Sequence, residues 1–312
     1  MRITFCCSNT KPEPWIDGFA QAFPEAEISV WAPGARQADF AVVWAPPQQF
    51  IDEQCFEGKT SPLRCLFNIG AGVDALLRLK LPPNLLLVRL DDAGMAVQMA
   101  EYVCHAVIRH FRELDCYARD IKAGQWTFRK PLERADFPVG VMGLGVLGTR
   151  VLSTLQMFEF PVYGYSRTAK LIPGVRCFAG AAELPEFLKV SRVLVNLLPL
   201  TPDTENILNF ELLSQLQPNA YLINVARGAH LVDADLLALL DQGHMAGATL
   251  DVFRSEPLSA EHPFWQQPKI TLTPHTSART IRDQSIAQIV SKIKALERGE
   301  AISGVVEIGR GY

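Results

Sequence analysis

No apolar run in the sequence approaches the ~20 residues needed to cross a bilayer, which argues against a membrane-spanning chain. The N-terminus, Met1-Arg-Ile-Thr-Phe-Cys-Cys7, reads as a first β-strand and shows no signal-length apolar stretch before a cleavage site. The seven cysteines are odd in number, none stands in CxxC spacing, and most lie in apolar runs. Buried reduced thiols are therefore expected, and with them a cytoplasmic protein. His230, His244 and His262 lack metal-ligand spacing, and His105 and His110 fall on a helical pattern, so no metal site is expected. There is little excess charge of either sign. A net charge of −3 offers no global attraction to nucleic acid or to an acidic membrane, and any anion site must be local. Internal repeats and low-complexity segments are also missing.

What is present fits a soluble globular chain: 48% hydrophobic and 20% charged residues over 312 positions, enough for about two domains. Short apolar runs at 3–7, 28–31, 40–44, 63–67 and 85–90 read as strands, with helical patterns at 14–23 and 73–79 between them. Strands alternating with helices predict a mostly parallel sheet covered on both faces. From about 95 to 122 the pattern predicts one long helix joining two domains, with Val97, Val103, Val107, Ile108, Phe111 and Leu114 as its apolar face. A polar connection over 124–137 carries Pro131 and leads to a second set of runs at 162–165, 193–198, 221–225, 246–252 and 270–273. Helical segments at 182–188, 211–216 and 234–240 separate most of them. A last helix, 281–296, is expected to return to the first domain. The fold class is thus α/β, with domains at 1–95, 96–275 and a return segment at 276–312.

The second set is led by Val139-Gly-Val-Met-Gly-Leu-Gly-Val-Leu-Gly148. A strand runs into Gly143-x-Gly145-x-x-Gly148, and Val146 and Leu147 open a helical pattern. Alone, GxGxxG is a weak signal; between a strand and a helix it is a dinucleotide fingerprint. Gly143 makes the turn, Gly145 lets backbone N–H groups approach a pyrophosphate, and Gly148 lets helix and sheet pack closely. The strand 162–165 is followed by Ser166-Arg167 with no acid, which favours a 2′-phosphate and hence NADP(H) over NAD.

Three more clusters follow apolar runs: Asn224-Val-Ala-Arg227-Gly228, Leu250-Asp251 through Glu256, and Leu272-Thr-Pro-His275. Open α/β sheets place ligands at strand C-termini, so Arg227, Glu256 and His275 are expected to converge. Arg offers a planar fork for a carboxylate. His passes a proton, and a carboxylate beside it orients it and favours its charged form. Taken singly, each has a duller explanation as a surface charge or a turn residue.

With these motifs in order, together with Ile69-Gly-Ala-Gly-Val-Asp74 and Leu198-Pro-Leu-Thr-Pro202, the chain resembles the D-2-hydroxyacid dehydrogenases over nearly its whole length, and most of all the bacterial A-type glyoxylate/hydroxypyruvate reductases. The resemblance implies a Rossmann cofactor domain inserted into a discontinuous flavodoxin-like substrate domain, and a homodimer. It implies reduction of glyoxylate to glycolate and of hydroxypyruvate to D-glycerate. Where many relatives carry an acid for NAD this chain has Arg167, so NADPH is the coenzyme expected, and charge and hydropathy leave no nucleic-acid or membrane partner expected. It also implies roles: Arg227 as carboxylate anchor, His275 as proton donor, Glu256 as its partner, and Asp251, Leu198 and Pro199 at the cofactor. Backbone N–H groups around Ala71, Gly72 and Val73 would meet the substrate. Trp44, at the end of its strand, and Met95 are candidates for narrowing the substrate pocket. The alternatives are a reductase of another 2-keto acid, or a nucleotide-sensing binding protein of the same fold.

Overall fold

A computed structural model describes residues 1–8, 10–56 and 62–309 and divides the chain into two compact units. The first comprises Met1–Met95 and Arg279–Tyr312, the second Ala96–Ala278.

In the first unit, β1 (Arg2–Cys7), α1 (Glu13–Ala22), β2 (Glu27–Val30), β3 (Phe40–Trp44), α2 (Gln48–Ile51), β4 (Cys65–Asn68), α3 (Asp74–Leu77) and β5 (Leu87–Arg89) follow one another. The strands form one parallel sheet in the order β2-β1-β3-β4-β5, the flavodoxin-like winding. Residues 40–43 of β3 are wholly buried, because a parallel strand between two helical layers has two apolar faces. One face packs on Trp15 and Phe19 of α1 and on Ile286, Ile289 and Ile293 of the helix Arg282–Glu297; the other packs on Phe50, Ile51 and Leu76. The late segment is pinned by polar contacts as well: Ile281 N donates to Ala93 O at 2.9 Å, and buried Lys292 donates to Asp91 Oδ2 at 3.0 Å. The first unit is therefore discontinuous in sequence.

The second unit holds α4 (Met95–Phe111, all but its first residue), α5 (Leu114–Lys122), β6 (Val139–Met142), α6 (Val146–Met157), β7 (Val162–Ser166), β8 (Arg176–Ala179), α7 (Gly180–Val190), β9 (Val193–Asn196), α8 (Phe210–Leu213), β10 (Ala220–Asn224), α9 (Asp233–Asp241), β11 (Met245–Leu250) and β12 (Ile270–Leu272). All its strands are parallel, in the order β12-β11-β10-β9-β6-β7-β8. This is the doubly wound Rossmann order with one added strand, and the order reverses between β6 and β9. One face is covered by Val103, Val107 and Phe111 of α4 and by Val151, Leu152 and Leu155 of α6. Phe187, Leu212, Leu236 and Leu239 cover the other. Each such fully buried aliphatic side chain stabilises the fold by roughly 1.5–3 kcal/mol.

Three details depart from the sequence pattern. The helix expected from 95 to 122 is two helices, because the chain leaves the helical path at Glu113, whose φ is +51°. Arg109 pairs with Asp115 across the break, and Arg129 with Asp120 of α5 at 2.7 Å; α5 itself buries no residue. The strand β8 gave no apolar run because it is an edge strand in which only Phe178 is buried. The helix expected over 211–216 is the single turn α8. Among the described residues, no helix is long and apolar enough to cross a membrane, and no cluster of His, Cys, Asp and Glu is arranged to hold a metal ion.

Candidate active site

At the point where the strand order reverses, β6 ends in Gly143, whose φ of +100° an L side chain rarely adopts. A Cβ there would also lie 2.5 Å from Leu197 O, in the loop after β9. A Cβ at Gly148 would overlap the Gly143 carbonyl, so α6 starts as close to the turn as backbone allows. Gly145 caps α6 and is exposed, a Cβ on it would meet nothing within 4 Å, and Val146 beside it is half-exposed. The first N–H groups of a twelve-residue helix thus lie beside open space at the switch point, the setting in which a pyrophosphate is held. Leu197 N donates to Met142 O at 2.8 Å, which ties the segment leading to Leu198 and Pro199 to the same turn. Register places Tyr165 of β7 beside Met142, so Ser166 and exposed Arg167 follow at the edge of the turn. Ser166 Oγ donates to Thr168 O at 2.7 Å, which shapes that corner. The residues present fit a dinucleotide with a negative group near its adenosine ribose.

The second cluster lies on the loops after β10, β11 and β12, three neighbouring strands. The Glu256 carboxylate accepts from His275 Nδ1 at 2.8 Å, and its other oxygen accepts from Phe253 N at 2.9 Å. Glu256 is therefore held by its own loop while it fixes the imidazole, leaving Nε2 as the other functional edge. Both side chains are partly open, 44% exposed for His275 and 36% for Glu256, so a small molecule can reach them. Gly228, next to Arg227, lies so close to the backbone of Phe253 and Arg254 that any Cβ would overlap it. That contact seats the Arg227 loop directly on the Glu256 loop. Arg227 is half-buried, and its Nη1 donates to Ala226 O at 2.6 Å.

Asp251 has a clearer structural task than its sequence position suggested. It is fully buried; Oδ1 accepts from Thr273 Oγ1 at 2.5 Å and Thr276 N at 2.8 Å, and Oδ2 accepts from Ser277 N at 2.8 Å. Its carbonyl accepts from His275 N at 2.8 Å, and His275 itself takes the left-handed φ of +53°. Thr273 in turn meets Tyr102 OH of α4 at 2.5 Å. Burial pushes the Tyr102 phenol up to about 12, which keeps it a donor. Tyr102 gave no signal in the sequence, because a lone Tyr on an amphipathic helix reads as core; Thr273 stands in the Leu272-Thr-Pro-His275 cluster, but the sequence assigned it no role of its own.

In the first unit, Trp44 packs on the loop that follows β4: a Cβ at Gly70 would overlap its indole ring, which remains 40% exposed. Buried Asn68 donates through Nδ2 to both Gly70 O and Gly72 O at 2.9 Å. One amide thus ties down two carbonyls of the loop that carries Ala71, Gly72 and Val73. Asn68 was not singled out by the sequence, and nothing in the Gly-rich motif pointed to it.

A doubly wound sheet with a glycine turn at its switch point, and a histidine–carboxylate pair three loops away, defines a Rossmann-type dinucleotide-binding protein with acid–base chemistry at hand. Comparison with known proteins narrows the class. Residues 104–277 match the family model described as D-isomer specific 2-hydroxyacid dehydrogenase, NAD binding domain. A protein of Yersinia enterocolitica named glyoxylate/hydroxypyruvate reductase A is 43% identical, with both chains covered in full. One of the same name from Photorhabdus laumondii is 46% identical over 96% of each chain. Among solved structures, a D-isomer specific 2-hydroxyacid dehydrogenase of Xanthobacter autotrophicus in complex with NADPH superposes with a TM-score of 0.93 at 36% identity, covering 100% of this chain and 99% of that one. An NADPH-dependent glyoxylate/hydroxypyruvate reductase of Sinorhizobium meliloti in complex with NADP and sulfate gives 0.90 at 35% identity, with the same coverage. The chain belongs to the D-isomer specific 2-hydroxyacid dehydrogenase family.

Proposed function

We propose that the protein is an NADPH-dependent reductase of small 2-keto acids that converts glyoxylate to glycolate and hydroxypyruvate to D-glycerate. The observation that carries this reading is the His275–Glu256 pair at 2.8 Å, whose Glu256 loop is seated against the Arg227 loop, in a chain of this family. The relatives named for these two substrates support the choice of keto acid. The 2-hydroxyacid dehydrogenase of Xanthobacter autotrophicus bound to NADPH, and the NADP-bound reductase of Sinorhizobium meliloti, support the choice of coenzyme.

The residues that would hold NADP(H) are Gly143, Gly145, Val146, Leu147 and Gly148 at the pyrophosphate, Ser166 and Arg167 at the 2′-phosphate, and Leu198, Pro199 and Asp251 towards the nicotinamide. When bound, the coenzyme supplies the hydride. The chain's own residues do the rest. The Arg227 fork binds the substrate carboxylate and polarises the carbonyl beside it. His275, charged and oriented through Nδ1 by Glu256, gives its Nε2 proton to the oxygen that gains negative charge. In the first unit, the loop at Ala71, Gly72 and Val73, ordered by Asn68, and Trp44 packed on it are the candidates for substrate contacts. In this reading, the first unit is the substrate domain and the second the cofactor domain. The protein is cytoplasmic and acts as a homodimer; Trp126, 102% exposed, and Phe128, 85% exposed, support self-association by offering apolar surface on the second unit.

NADPH oxidation followed at 340 nm with glyoxylate and hydroxypyruvate tests the reading, and a protein that only senses the nucleotide would show none. Loss of the proton donor in His275→Ala lowers turnover by about 10²–10⁴. If that variant, still folded, keeps turnover within about tenfold of the parent, the acid is some other group.

A further inference from the structure

Beneath the Arg227 loop lies a polar cluster that the reaction as described does not use. Asn196, Asn224 and His230 are each fully buried, at the ends of β9 and β10 and in the short 3-10 turn Gly228–His230. Asn196 Nδ2 donates to Asn224 Oδ1 and contacts His230 Nδ1, both at 3.0 Å. An amide NH₂ has two hydrogens and no acceptor, so Nδ1 of His230 must accept and its proton must sit on Nε2. That Nε2 in turn donates to Pro199 O at 3.3 Å. The remaining valences face the two loops. Asn196 Oδ1 accepts from Leu198 N at 3.2 Å, Asn224 Oδ1 accepts from Ala226 N at 3.3 Å, and Asn224 Nδ2 donates to Arg227 O at 3.1 Å. His230 N donates to the same Arg227 carbonyl at 3.2 Å.

We propose that Asn196, Asn224 and a single-tautomer His230 are positioning residues that fix the Arg227 backbone against the 198–199 segment, so that substrate anchor and coenzyme-side loop share one register. The inference rests on the reading of Arg227 as the carboxylate anchor. A buried, fully connected network of this kind costs most when it is broken in part, because a remaining donor then has no acceptor. His230 is the place to break it. Pro199 O keeps Thr204 Oγ1 as a second donor at 2.7 Å, whereas the Asn196 hydrogen that meets Nδ1 has no alternative acceptor among the contacts described. Residues 206–208 are held to the same turn, with Leu208 N donating to His230 O at 2.8 Å and Asn206 N to Ala229 O at 2.9 Å. The backbone of His230 thus stays in place when its ring is changed.

The experiment compares His230→Phe, which keeps a buried ring but neither nitrogen, with His230→Asn, whose amide oxygen replaces the Nδ1 acceptor. In steady state at saturating NADPH, the Phe variant is expected to lose about tenfold in kcat/KM for glyoxylate through KM, and the Asn variant to recover most of that loss. NADPH affinity by fluorescence titration is expected to change much less in both. A purely structural role would lower Tm in both variants and leave the keto-acid KM alone, which overturns the proposal. ¹⁵N-labelled histidine NMR of the parent protein gives a reading that does not depend on either variant folding: a proton on Nε2 of His230 is expected, and one on Nδ1 refutes the network. Arg227→Gln is run in parallel. If it retains glyoxylate turnover, the anchor assignment itself fails; if it loses turnover while His230→Phe matches the parent, only the positioning network fails.

Discussion

Replacing Asp251 with asparagine changes one atom and should cost more than any other conservative substitution near the site. The buried carboxylate serves three donors, two on Oδ1 and one on Oδ2. An amide can keep its oxygen towards Thr273 and Thr276, but its NH₂ then faces Ser277 N–H, donor against donor. One charge-assisted bond is lost outright and two become neutral. At about 1.5–3 kcal/mol for a hydrogen bond to a charged group, the sum is about 3–5 kcal/mol. In a unit of this size, 1 kcal/mol moves Tm by about 2–4 °C, so the unliganded variant should melt roughly 6–20 °C lower. The three donors bracket His275 in sequence, and His275 holds a left-handed backbone conformation that only its surroundings impose. Turnover of glyoxylate should therefore fall by about tenfold or more even at 20 °C, where the variant remains folded. Calorimetry without coenzyme separates this effect from any contact of Asp251 with the nicotinamide. A variant whose Tm and kcat both match the parent would show that the carboxylate does not hold the His275 loop.

Two further outcomes are expected. Arg167→Ala should lose about ten- to a hundredfold in kcat/KM for NADPH while NADH is little affected, since a charge-assisted bond is removed from one coenzyme only; equal losses with both would take Arg167 away from the 2′-phosphate. His110, stacked on Tyr221 at 4.0 Å, is pushed down to about 4 by burial, with Arg192 adding to the effect and Asp115 opposing it. The folded state holds this histidine neutral while the unfolded chain takes up a proton below its ordinary value of 6.5, so stability is full above that pH and is lost as pH falls towards about 4. The loss should reach at most roughly 3 kcal/mol. His110→Phe should flatten that part of the stability–pH curve in urea titrations, and an unchanged slope would assign the acid sensitivity to other groups.

Much of the fold was legible because the second unit's central strands are buried on both faces and so appear as uninterrupted apolar runs. Residues 193–196 of β9 and 220–224 of β10 are buried throughout, and no polar alternation hides them. The return of the chain to the first unit was legible for a related reason: Ile286, Ile289 and Ile293 repeat at helical spacing and need an apolar face to cover. The elements that escaped are those whose existence depends on partners. With one buried side chain, β8 is a strand because β7 offers it a ladder, through Tyr163, Gly164, Tyr165 and Ser166. The break at Glu113 leaves no mark on the apolar period, since Phe111 and Leu114 fit one helix as well as two.

The site divides along the same line. The residues proposed for the chemistry carry charged or titratable side chains in the loops after strands, and Arg227, Glu256 and His275 could be picked out as candidates on that ground. Residues that position them look ordinary. Asn196 and Asn224 are separated by 28 positions in the chain and meet only because β9 and β10 are neighbours in register, Asn196 beside Asn224. His230 showed no metal-ligand spacing in the sequence, and its side chain is fully buried. Its importance lies in which atom accepts and which donates, and composition and spacing do not encode that. The same holds for Asn68, one amide that organises two carbonyls of a loop whose glycines draw the attention. A polar side chain buried at the end of a parallel strand has no apolar face to explain it and must find partners in the loops. In an open α/β sheet those loops are where ligands bind, so an Asn or His in that position is a first candidate for a positioning residue wherever this strand order recurs.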